Sequence, residues 1–134
     1  MRVLTQVALV AFGSALGGLA RWGITLGAER FFSTPFPVGT FLINITGSLF
    51  LGWLTTVLDE RLLKSSLSWV QPADVRLMLA VGFTGAYTTF STFEYESHKL
   101  LRDGDGLIGA SYIAGSVFLG LLAVRLGVHL ARYV

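Results

Sequence analysis

The chain has 134 residues, 53% of them hydrophobic and only 13% charged, with a net charge of +2, a mean hydropathy of +0.67 and no cysteine. A soluble domain carries about 25% charged residues, so this is the composition of an integral membrane protein. Disulfides, thiolate metal sites and thiol catalysis are excluded, and no basic cluster points to nucleic acid.

A spanning helix needs roughly 20 apolar residues, so four with short connections use nearly the whole chain and leave no room for a soluble domain. The first span is expected over residues 3–26. Arg2 followed by an apolar run mimics a signal peptide, but the run continues past Arg21 and is too long for one, so it reads as an uncleaved span. Residues 29–37 form a short loop with Pro35 and Pro37 as breakers. The second span covers 38–58 and ends at Asp59-Glu60-Arg61. A polar, amphipathic connection runs over 61–73, the third span over 74–100 and the fourth over 107–133, with a turn at Arg102-Asp103-Gly104-Asp105-Gly106 between the last two.

Small residues recur four apart on three of these spans: Gly13 and Gly17, Ser14 and Gly18, Ser48 and Gly52, Ser111 and Gly115, Ser116 and Gly120. Helices in lipid associate through such faces. Packing within one bundle accounts for any single pair, and their number suggests a homo-oligomer. The topology signal is weak. Arg2, Arg61, Lys64, Arg76, Arg125 and Arg132 fall on the side of the termini, against Arg30, Lys99 and Arg102 on the other. That mild bias favours cytoplasmic termini and permits insertion in both orientations.

Three places in the spans need a physical reason. Arg21, in GGLARW, carries a charge inside a membrane helix and must face protein or water. It either reaches to the interface or attracts anions at the base of an aqueous vestibule. On the second span, Thr40, Asn44 and Ser48 follow at spacing four and share a face without a carboxylate. Asn44 either bonds across helices or donates its NH2 to a passing anion. The third span holds GFTGAYTTFSTF over 82–93, where lipid alone would select leucine and valine. Its hydroxyls (Thr84, Tyr87, Thr88, Thr89, Ser91, Thr92) need partners, and Gly82, Gly85 and the Thr88-Thr89 pair weaken a regular helix. A break there exposes carbonyls that suit a cation and amides that suit an anion. Phe90 and Phe93, one turn apart, are either packing aromatics or rings whose positive edges help solvate a small anion. No His/Asp/Glu cluster has metal-ligand spacing and no nucleophile sits beside a base, so the chain is not expected to be an enzyme.

Together GGLAR around Arg21, GTFLINITGSLFLG over 39–52 and GFTGAYTTFSTFEYE over 82–96 resemble the Fluc family of fluoride channels, also called CrcB. The resemblance implies an all-α integral membrane fold of four transmembrane helices, the third broken in mid-membrane, assembled as an antiparallel dual-topology homodimer in the cell membrane. It implies two pores per dimer that pass fluoride passively, reject chloride and confer fluoride resistance by export. Phe90 and Phe93 match the paired pore phenylalanines and Asn44 the pore asparagine, with Thr40, Ser91, Thr92 and Ser116 along a polar track. Arg21 matches the vestibule arginine and Glu96 the glutamate near the far end. A structural Na+ at the dimer centre is implied on the carbonyls of Gly85 and Thr88 from both subunits. Tyr87 and Glu94 are assigned no role. Fluoride, lipid and a second copy are the implied partners, with no nucleic acid and no other protein. The alternative is a small dual-topology multidrug or cation exporter, which needs an acidic residue deep in a helix, whereas every Asp and Glu here sits at or near a predicted end.

Overall fold

A computed structural model of the protein describes residues 2–62 and 71–133, and every regular element among them is helical. Most of the connection expected over 61–73, including Lys64, lies outside the described residues. Helix α1 spans Arg2–Phe31. Helix α2 spans Val38–Val57 and runs on into a wider, π-type turn at Leu58–Leu62. Helix α3 occupies residues 72–87 in three continuous pieces: an α-turn Pro72–Val75, a π-type stretch Arg76–Thr84 and a last α-turn Gly85–Tyr87. Helix α4 spans Phe90–Arg102 and α5 spans Gly106–Ala131.

The first helix extends to Phe31, beyond the expected end at residue 26, and takes in Glu29 and Arg30. Nothing in GAERF breaks a helix, and the chain turns only as Pro35 approaches. Pro72 opens α3 two residues earlier than expected, at a first-turn position where its missing N–H is no loss. In the wider turns of α3, Thr84 Oγ1 donates to the carbonyl of Leu79, five residues back (2.8 Å). Among the described residues, three stretches, Arg2–Phe31, Val38–Glu60 and Gly106–Ala131, are long and apolar enough to cross a membrane. The span expected over 74–100 is instead two half-length helices, and α4, with 13 residues, rises only about 20 Å.

Glycine lets the helices meet backbone to backbone. A Cβ at Gly13 would run into the Met78 carbonyl, and one at Gly17 into the Phe83 carbonyl, so α1 lies directly on α3. Ser14 Oγ adds a hydrogen bond to the Gly82 carbonyl (3.4 Å). Likewise Gly52 of α2 rests on Val124 of α5, and Gly127 of α5 on Leu49. Gly115 and Gly120 face Phe41 and Ser48 of α2. Most of the small residues therefore serve packing within one chain, whereas a Cβ at Gly18 would meet nothing within 4 Å.

An aromatic cluster of Phe93, Leu100 and Tyr112, flanked by Phe36 and Phe41, joins α2, α4 and α5 below the loops at residues 32–37 and 103–105. At the opposite end, ion pairs Arg76–Asp59 and Arg132–Glu60 (3.9 Å) tie helix termini together. Both are exposed, and such pairs contribute about 0–1 kcal/mol each. Outward faces carry exposed Leu4, Phe12, Leu19, Phe118 and Leu121, an apolar surface suited to lipid.

Candidate functional site

The polar core of the protein is built around the gap between α3 and α4. Thr88 (ψ 158°) and Thr89 (φ −148°, ψ 114°) are extended, so the helix stops for two residues and restarts. Each end is closed locally. Thr88 directs both its N–H (3.0 Å) and its hydroxyl (2.9 Å) at the Thr84 carbonyl. The Thr89 hydroxyl oxygen caps α4 by accepting from the Thr92 N–H (3.3 Å) and donates to Thr92 Oγ1 (2.9 Å).

Asn44 holds the gap from α2. Its Nδ2 donates to the Thr89 carbonyl (3.1 Å), and its Oδ1 accepts from the Thr89 N–H (2.9 Å). One amide thus satisfies both backbone groups of a buried residue that no helix can serve. Both alternatives for Asn44 stay chemically open, because Nδ2 carries a second hydrogen. Gly47, one turn on, lets the gap lie against α2: a Cβ there would strike the Thr88 methyl and the Tyr87 ring. Tyr87, to which the sequence assigned no role, is buried and hydrogen-bonds Thr46 through its hydroxyl (2.7 Å).

This arrangement also diverts two donors. In an unbroken helix the Thr89 N–H would bond the Gly85 carbonyl and the Thr92 N–H the Thr88 carbonyl. The first goes to Asn44 and the second to the Thr89 side chain. Gly85 lies on the outer face of the chain, with open space where a Cβ would be. Carbonyls that have lost their helical donors suit a hard cation, which takes oxygen ligands, so the chemistry at Gly85 and Thr88 fits Na+.

Thr40, Asn44 and Ser48 do share one face of α2, turned toward α4 and α5. Thr40 Oγ1 donates to Glu96 Oε1 (3.0 Å), and the Tyr112 hydroxyl donates to Glu96 Oε2 (2.8 Å). Tyr112 is 0% exposed and escaped sequence reasoning. Its signal was the spacing Tyr112, Ser116, Gly120 in the largely apolar first two-thirds of that helix. Ser116, one turn from Tyr112, has a buried Oγ that meets no hydrogen-bond partner.

The two phenylalanines adjoin, with ring centroids 6.0 Å apart and planes at 41°, but their surroundings differ. Phe93 is 8% exposed and packs on Tyr112 (5.2 Å), whereas Phe90 is 74% exposed. Ser91 and Thr92 are exposed beside it. Beneath Phe90 opens a cavity of about 230 Å³, lined also by Asn44, Ser48, Thr84, Thr88 and Thr89. A larger one, about 510 Å³, opens at the loop end with Thr40 and Glu96 among its walls. Asp103 lines its mouth, and a hydrogen bond from Arg102 (2.8 Å) holds that carboxyl below the usual carboxylate range. Arg21 lines neither cavity. It sits half-buried on α1 one turn beyond Gly17, and the fold of the chain does not bring it to the α2–α4–α5 cluster.

The family described as CrcB-like protein, Camphor Resistance (CrcB), matches residues 8–128. The chain is 44% identical over 130 residues to the fluoride-specific ion channel FluC of Chloroflexus aurantiacus, covering 97% of this chain and 98% of that one. It is 38% identical over 125 residues to the protein of the same name from Maridesulfovibrio salexigens (93% and 94% covered). With that from Acidobacterium capsulatum the identity is 44% over 118 residues (88% and 89% covered). With helices of spanning length and a match over nearly its whole extent, the chain is a multi-pass membrane protein that belongs to the CrcB family.

Proposed function

We propose that the chain forms a fluoride-specific channel that lets fluoride leave the cytoplasm passively and so confers resistance to it. The observation that carries this reading is the gap at Thr88-Thr89, pinned by Asn44 and surrounded by neutral donors. It is supported by relatives named fluoride-specific ion channels along nearly the whole chain.

Fluoride is small and strongly hydrated, so a pore must replace its water. Neutral hydrogen-bond donors can do so, and several lie along the proposed path: the second Nδ2 hydrogen of Asn44, the unpartnered Ser116 hydroxyl, and the hydroxyls of Ser91 and Thr92, whereas the Thr40 hydrogen is held by Glu96. The positive edges of Phe90 and Phe93 can face the anion while excluding water. A narrow site of this kind suits fluoride better than the larger chloride, since a donor array sized for one ion leaves the other poorly solvated. Arg21 raises anion concentration at the entrance.

One protomer offers only half a conduit, because Phe90, Ser91 and Gly85 lie on its outer face. A second copy would enclose them. In the proposed assembly two four-span subunits pack antiparallel and enclose two pores, with α3 and α4 together making the third span. Na+ would sit between them on the Gly85 and Thr88 carbonyls and supply positive charge that offsets the cost of holding an anion at mid-membrane.

Fluoride efflux from proteoliposomes holding the purified chain tests the activity. Release above protein-free vesicles is expected, and none, with insertion verified, would refute it. The lack of native cysteine allows a direct test of orientation. Ser33→Cys, in the exposed loop at residues 32–37, should be labelled to about half by an impermeant maleimide in sealed cell-derived vesicles, since a dual-topology pair presents one loop on each side. Labelling that is complete or absent would contradict an antiparallel pair.

A further inference from the structure

The outer face of the last helix carries a cluster that the fluoride reading does not use. Arg125, His129 and Arg132 follow at spacings of four and three, which on a helix is one stripe. All three are exposed, and Arg132 is paired with Glu60, which leaves Arg125 and His129 as the groups that face outward for a ligand. The opposite face of α5 is committed to α2 through Gly127 on Leu49 and Val124 on Gly52. Toward the bilayer centre, Phe118, Leu121 and Leu122 continue the same exposed stripe. Toward the surface it ends at Tyr133, whose ring packs edge-on against His129 (4.9 Å) and suits the headgroup level.

Arg125 is the informative residue. It lies six residues before the end of α5 at Ala131, about 9 Å along the helix axis from it. Its guanidinium escapes hydrocarbon only by extending toward the surface along the helix, the direction in which His129 lies one turn on. The stripe thus reads apolar, then cationic, over the length of one lipid molecule.

We propose that this stripe binds an anionic phospholipid, with its phosphate held by Arg125 and His129 and an acyl chain along Phe118 and Leu121. The charge pattern favours lipid over a second copy of this chain. Helix α5 contains no Asp or Glu. Another copy packed on the same face would press Arg125 against apolar side chains or another cation, whichever way it ran. An anionic headgroup meets the cation at the level it can reach. The site is separate from Asn44, Glu96 and Phe93, so it stands or falls independently of the fluoride reading.

The full chain, purified in mild detergent and offered equal amounts of phosphatidylglycerol and phosphatidylcholine with the same acyl chains, should retain the former in native mass spectrometry. Arg125→Gln should lower that excess roughly fivefold, the amount expected for one basic group near an anionic surface. Arg125→Lys should keep most of it, and Arg30→Gln, at the far end of α1, all of it. Equal retention of both lipids by the unmodified protein would overturn the proposal, as would an excess that survives Arg125→Gln. Displacement of the lipid by a tenfold excess of inorganic phosphate would mark a phosphate site instead. Larger assemblies without lipid, lost on Arg125→Gln, would assign the face to another copy.

Discussion

Asn44→Ala is expected to destabilise the protein by about 2–6 kcal/mol and to abolish fluoride flux. The side chain makes two hydrogen bonds, one to each backbone group of Thr89. Thr89 is buried, and its extended conformation puts it beyond the reach of any helical partner. Removing the amide leaves an N–H and a carbonyl unsatisfied at membrane depth, at about 1–3 kcal/mol each. Asn44→Asp separates the two contacts, because a carboxylate can still accept from the Thr89 N–H but has nothing to donate to its carbonyl. Thermal unfolding in detergent, read beside flux in liposomes, checks both. Wild-type stability in Asn44→Ala would mean that the gap is held by something other than this amide.

The second large effect is expected at the paired phenylalanines, where fold and flux should part. On a single chain Phe90 is exposed, and surface substitutions usually change the stability of the chain's own fold within about 0.5 kcal/mol. Phe90→Ile should therefore fold normally. If its ring edge lines the path, flux should fall roughly tenfold or more, equivalent to about 1.4 kcal/mol on the barrier. Phe93 is packed on Tyr112, so Phe93→Ile should add a core penalty of about 1 kcal/mol to a similar loss of flux. Normal flux in both variants would remove the phenylalanines from the conduction path. A loss that merely followed stability, present in Phe93→Ile and absent in Phe90→Ile, would reduce them to packing residues.

Much of this layout was legible in the sequence because membrane burial makes polar residues conspicuous. Asn44 stood out as an amide in an apolar helix, and the hydroxyl-rich run at 82–93 marked where regular helix fails. Spacing of four correctly put Thr40, Asn44 and Ser48 on one face. Other features depended on the helices' rotation about their axes, which composition does not encode. Nothing local says that the Tyr112 hydroxyl reaches Glu96, or that Phe90 points out while Phe93, three residues on, points in. The wider turns of α3, where Thr84 Oγ1 reaches the Leu79 carbonyl, were equally hidden, since residue preference does not mark π-type winding. Small-residue spacing was legible as close packing, but most of the surfaces it serves lie inside the one chain.

In the proposed channel the neutral donors around the gap would provide ion selectivity. Liposomes loaded with potassium fluoride or potassium chloride, holding the unmodified chain and a potassium ionophore to carry the counter-charge, measure it directly with ion-selective electrodes. Fluoride should empty rapidly while chloride leaks no faster than from protein-free vesicles. Retained fluoride in vesicles that demonstrably contain the protein, or chloride leaving as fast as fluoride, would contradict a fluoride-selective pore at Asn44, Phe90 and Phe93.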